Sequence, residues 1–156
     1  MLEPRSGRFW RELSPGDDVQ AAVKACPEGG CILLRPGTFD LAPLRDGLSI
    51  YAVNVFGRGH VTLVAPLGCS RAVAMGGGLW RRTFALDGVT VRSRVGGECG
   101  VRMRDGLARL QSCFITGRSV NGVEICDSLD SVGEDDDEDD DVPHSDAVVI
   151  NCRCEC

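Results

Sequence analysis

The sequence predicts an all-β fold, a parallel β-solenoid closed at its N-terminal end by one short capping α-helix. Three observations carry this. First, a six-residue segment returns after 24 residues: Leu86-Asp87-Gly88-Val89-Thr90-Val91 reappears as Leu110-Gln111-Ser112-Cys113-Phe114-Ile115, and a looser copy runs Val149-Ile150-Asn151-Cys152-Arg153-Cys154. Apolar residues hold the first, fourth and sixth places, so Val89, Cys113 and Cys152 form one column and Val91, Ile115 and Cys154 the next. Self-similarity at this period means stacked units, none of which buries its apolar face alone. Second, runs of three to five strand-forming residues are divided by Gly-rich turns. Third, a single amphipathic stripe precedes them all.

That stripe is Val19, Ala22, Val23 and Cys26, at i, i+3, i+4 and i+7. Ser14-Pro15-Gly16 breaks the chain ahead of it, Asp17-Asp18 supplies an N-cap, and Pro27 with Gly29-Gly30 ends it, which predicts a helix over about 17–26. Its apolar face needs a partner, and the open end of a solenoid is one. Residues 1–13 carry no periodic signal and stand as a separate N-terminal segment before a domain spanning 14–156.

Strands follow at Cys31–Leu34, Leu48–Val55, Val61–Val64 and Ala72–Met75, with Arg35–Phe39 as strand and turn after the first. Val61-Thr62-Leu63 matches Val89-Thr90-Val91 at a spacing of 28, and Val101-Arg102-Met103-Arg104 matches Val123-Glu124-Ile125 at 22. In the former, Val101 and Met103 point inward and Arg102 and Arg104 outward. The third copy lies 39 residues after the second, a surplus that an insertion over about 132–145 accounts for. The strand pattern runs to the chain end without a second cap, which leaves the last coil open, continued, or covered by an end-to-end contact.

The 156 residues suit one domain. The net charge of −6 comes from one segment: Glu134 to Asp141 are eight consecutive acids, and outside them 15 acids face 17 bases. No signal peptide or membrane-spanning run is visible. Nine cysteines, an odd count, fit an intracellular, cytoplasmic setting in which cysteine packs as a small hydrophobe. Spacing alone does not pair Cys26 with Cys31.

Asp18-Val19-Gln20-Ala21-Ala22-Val23 and then Pro27-Glu28-Gly29-Gly30-Cys31-Ile32-Leu33-Leu34-Arg35-Pro36-Gly37-Thr38-Phe39 resemble the opening of pectate-lyase-like β-helix proteins. There a capping helix leads into a first coil of pattern G-G-x-I-x-L-x-P-G-x-Y/F. The continuation Val55-Phe56-Gly57-Arg58-Gly59-His60-Val61-Thr62-Leu63 and the later Leu-x-x-Cys-x-Ile repeats are similar to non-catalytic β-helix repeats of F-box-type eukaryotic scaffold proteins. The likeness covers residues 14–156 and implies a single-stranded right-handed parallel β-helix. The fold group hosts lyases, hydrolases, epimerases and binding scaffolds, so function needs its own argument.

Cleavage of a polysaccharide needs two positioned acid/base groups. Asp87 is the one acid in the repeat columns, with Gln111 and Ile150 as its counterparts, and Gly59-His60-Val61 lacks the second glycine of a Gly-His-Gly element. No paired catalytic carboxylates emerge, and no catalytic residue is assigned. His60 reads as a turn residue and His144 as a loop residue. Cys152-x-Cys154-x-Cys156 has strand spacing, not that of a zinc site, so neither a metal nor another cofactor is expected. The acidic run lacks the spaced oxygen ligands of a calcium loop and reads as a solvated insertion.

Arginine offers a sharper candidate, since 16 of the 17 basic residues are arginine. Arg94 and Arg118 lie one coil apart, and Arg92, Arg102 and Arg104 share outward parity. Together they form a ligand-binding face for carboxylates or phosphates. The acidic run folding back on that face would block it. Small excess positive charge and absent aromatic interleaving disfavour nucleic acid. The expectation is a non-enzymatic recognition or scaffold module that takes a protein or glycan on an outer ladder face. The alternative is a polysaccharide lyase or hydrolase, or a fragment of one.

Overall fold

The computed structural model describes residues 9–42, 46–76, 83–93, 99–104, 107–117, 121–126 and 148–155. Strand β1 (Arg11–Leu13) and helix α1 (Val19–Ala25) lead into a first coil of β2 (Cys31–Leu34), β3 (Gly37–Asp40) and β4 (Asp46–Tyr51). The second coil is β5 (Asn54–Gly57), β6 (Val61–Val64) and β7 (Arg71–Gly76). The third is β8 (Thr83–Asp87), β9 (Thr90–Arg92) and β10 (Cys99–Arg104). A fourth holds β11 (Leu107–Gln111), β12 (Phe114–Thr116) and β13 (Asn121–Cys126), and β14 (Val148–Ile150) with β15 (Arg153–Glu155) begin another turn.

Every pairing between these strands is parallel, and each coil gives one strand to each of three sheets. The first sheet runs β1-β2-β5-β8-β11-β14, the second β3-β6-β9-β12-β15, and the third β4-β7-β10-β13. The chain is therefore an all-β parallel solenoid of about four turns, and α1 is the single helix among the described residues. No helix among them is long and apolar enough to cross a membrane.

The register reproduces each sequence spacing. Val91 faces Ile115 at 24, Thr62 faces Thr90 at 28, Val101 faces Val123 at 22 and Ile115 faces Cys154 at 39. The spacing differs from sheet to sheet, but parity is kept within each, because alternate residues of a strand point to opposite faces and a slip of one would turn every apolar side chain outward. The interior is built of straight columns: Ile32, Val55, Leu86 and Leu110 in the first sheet, Phe39, Leu63, Val91 and Ile115 in the second, and Ile50, Met75 and Met103 in the third, all buried. Each such side chain contributes on the order of 2 kcal/mol when fully buried. Val101 and Met103 face inward and the half-buried Arg102 lies on the opposite parity, as the alternation requires.

Between the first and second sheets the chain turns in three residues in the second coil (Arg58, Gly59 and His60) and in two in each later turn. Gly88, Ser112 and Asn151 occupy the left-handed region at φ of 72°, 50° and 50°, and each is followed by an inward residue, Val89, Cys113 or Cys152. The ladder continues through the corner: Gly88 N–H donates to the Gln111 carbonyl at 3.1 Å and Ser112 N–H to that of Ile150 at 2.9 Å. The second and third coils approach so closely here that a Cβ on Gly57 would lie 2.5 Å from the Gly88 carbonyl oxygen.

The helix sits where its stripe places it. Asp18 caps it, accepting the Ala21 N–H at 3.0 Å, and Val19, Ala22, Val23 and Cys26 are buried in the common core.

Three features differ from the sequence reading. The solenoid begins before residue 14, because Arg11–Leu13 pairs in register with Ile32–Leu34. Its three residues are too few to show a period. The run Leu48–Val55 is two strands on two sheets, broken at Ala52, which adopts φ 51°. Apolar residues continue through that corner, so the pattern hides the bend. Cys154 keeps its place above Ile115 but is exposed, since no described strand lies beyond β15 in its sheet. The insertion over 132–145, with the acidic run and His144, lies outside the described residues.

Candidate functional site

The inward positions of the second sheet are Phe39, Leu63, Val91, Ile115 and Cys154, so the residues before them point outward. These are Thr38, Thr62, Thr90, Phe114 and Arg153, in register as Cα partners from coil to coil. Strands about 4.8 Å apart make this row about 19 Å long. It has three hydroxyls, then an aromatic ring, then a guanidinium. The Arg153 guanidinium lies 5.9 Å from the Phe114 ring centroid, a cation–π approach, and forms an ion pair with Glu155.

Beside the row, the corners between the first and second sheets leave a shallow groove of about 450 Å³ parallel to the solenoid axis. It crosses four successive turns, and its lining includes His60, Thr90, Ser112, Phe114, Asn151 and Arg153. The corner residues Gly59, Gly88, Ser112 and Asn151 follow one another along its floor. Hydroxyls, an amide, an imidazole and a guanidinium border one aromatic face. Among the described residues the lining contains no carboxylate. Such a surface can hydrogen-bond and stack on an extended polar chain.

The arginine candidates divide between two sheets. Arg92 is exposed on the second sheet, beside Thr116 of the next coil. Arg102 and Arg104 belong to β10 of the third sheet, where Arg102 stands in register with Ala74 and Glu124. Arg94 and Arg118 lie outside the described residues. His60 lines the groove. Asp87 does not: it is buried, with 6% exposure, in the outward row of the first sheet beside Phe56 and Gln111. Burial pushes its carboxyl above the usual carboxylate value, and Arg109 opposes this by favouring the charged form. Among the described residues no three His, Cys, Asp or Glu side chains group as metal ligands.

The sequence reading passed over the Thr38–Arg153 row. Its signal was present, since Thr90, Phe114 and Arg153 share the fifth place of the repeat. Reading that place as a surface needed the corner geometry. No family model, curated protein or solved structure matches the chain.

Proposed function

We propose that this protein is a recognition module, a right-handed pectate-lyase-like β-helix that binds an extended glycan along the corner groove and the adjoining outward row without cleaving it. The observation that carries the reading is the collinear row Thr38, Thr62, Thr90, Phe114 and Arg153 beside a groove that follows the same axis. A sugar ring offers an apolar face to Phe114 and hydroxyls to the threonines, Ser112 and Asn151. A sheet whose backbone is already paired presents these groups in register, which lowers the ordering cost of binding. The capping helix and the G-G-x-I first coil support the family placement.

A glycan array combined with a polyuronide-cleavage assay, with and without calcium, tests this. Binding without turnover is expected. Phe114→Ala should weaken it up to about tenfold, while Tyr51→Ala, exposed on the third sheet, should leave it unchanged. Turnover of any polymer would replace the reading with a carbohydrate-active enzyme. Silence in both assays would replace the glycan with a protein partner.

A further inference from the structure

We propose that Cys113 and Cys152 are a redox pair that closes a disulfide between consecutive coils and fastens β14 and β15 to the stack. Both are the inward residue of a two-residue corner, and the partners Phe114 and Arg153 follow them immediately in register. Two backbone bonds hold the cysteines opposite each other, Ser112 N–H to the Ile150 carbonyl at 2.9 Å and Arg153 N–H to the Cys113 carbonyl at 3.0 Å. Neighbouring parallel strands lie about 4.8 Å apart, inside the Cα separation of about 4.4–6.8 Å that a disulfide spans.

The thiols also point the same way. Cys113 Sγ donates to the Gln111 carbonyl at 3.1 Å and Cys152 Sγ to that of Ile150 at 3.3 Å, the equivalent atom one coil on. Cys152 Sγ further reaches back to the Leu110 carbonyl at 3.5 Å, in the coil that holds Cys113. Both are free thiols in the structure.

Their environments set the order of reaction. Cys152 is half-buried, whereas Cys113 is 2% exposed and its thiol is pushed up to about 12 by burial. A low-molecular-weight disulfide therefore meets Cys152 first. The Cys152 thiol gives its proton to solvent and its sulfur attacks one sulfur of the reagent. The reagent's S–S bond breaks, and one small thiolate leaves and takes up a proton. Cys113 then loses its proton and attacks Cys152 Sγ, releasing the second small thiol. Two protein thiols are oxidised by two electrons and one small disulfide is reduced to two thiols. The bond encloses the 39-residue excursion between the coils, and so restricts the unfolded chain.

The test uses the full chain equilibrated with oxidised glutathione, alkylated, digested with trypsin and analysed by mass spectrometry. The expected product is the Leu110–Arg118 peptide linked to the peptide bearing Cys126 and Cys152, lighter by two hydrogens than its two components. It should persist in Cys126→Ser and vanish in Cys152→Ser. The oxidised wild type and Cys126→Ser should melt roughly 10 °C higher than when reduced. Cys152→Ser and Cys113→Val, the latter carrying the side chain of the equivalent Val89, should show no such rise. A glutathione adduct that stays on Cys152, a link through Cys126, no oxidation at all, or an unchanged melting temperature would each overturn the proposal.

Discussion

The side-chain amide of Gln20 pairs with both backbone groups of Ser49. Ser49 N–H donates to Gln20 Oε1 at 2.7 Å, and Gln20 Nε2 donates to the Ser49 carbonyl at 3.2 Å. Ser49 lies in β4, the outer strand of the third sheet, whose backbone groups would otherwise face solvent or another chain. One glutamine on the capping helix thus stands in for a residue of a missing strand. Removing it leaves two backbone groups to find other partners. Gln20→Ala should lower stability by about 1–3 kcal/mol in chemical denaturation. Gln20→Glu, which keeps the acceptor and loses the donor, should fall between it and the wild type. Equal midpoints for all three would show that the pairing does not hold the cap.

The interior columns make the second prediction. Val91 and Ile115 are 0% exposed and adjacent in one column. Val91→Asp or Ile115→Asp places an unpaired carboxylate among apolar neighbours and should abolish cooperative unfolding at room temperature, followed by circular dichroism. Thr90→Asp, one position away but outward, should fold. A parent-like melt for either buried variant would contradict the register.

The corner predicts a gain. Ser112 is exposed and held at φ 50°, a conformation that costs most side chains about 1 kcal/mol and that asparagine tolerates better. The equivalent residue of the next turn is Asn151, at the same φ. Ser112→Asn should therefore raise the denaturation midpoint by a few tenths of a kcal/mol, and Ser112→Val should lower it by 1 kcal/mol or more.

Asp87 predicts a pH dependence. Because burial raises its carboxyl above the usual value in the folded state, the folded chain binds this proton more tightly than the unfolded one. Stability from this group is present below the ordinary carboxylate value and is lost as pH rises through the raised folded value. Asp87→Asn should flatten that part of the stability profile and should be more stable than the wild type at neutral pH. Parallel profiles would show that the carboxyl is solvated.

The repeat made the stack legible because columns in a parallel solenoid require the same parity in every coil. The spacings of 24, 28, 22 and 39 are register offsets between neighbouring strands. The cap was equally legible, since Asp18 and the stripe ending at Cys26 are local chemistry. The functional surface was less so. The arginines were grouped by outward parity alone, and parity does not tell one outward face from another. Arg92 in β9 and Arg102 in β10 lie on different sheets.

Periodicity and capping by themselves determined that this chain stacks parallel coils beneath a short helix, because both follow from which side chains avoid water along one strand or one helix turn. Only the tertiary structure decided where each coil bends. Left-handed positions at Ala52 and Ser112 carry no glycine to mark them in the sequence, and Asn151 matches Ser112 one turn on. Those bends align Thr38, Thr62, Thr90, Phe114 and Arg153 beside the groove, bury Asp87 away from it, and bring Cys113 over Cys152 across 39 residues of chain.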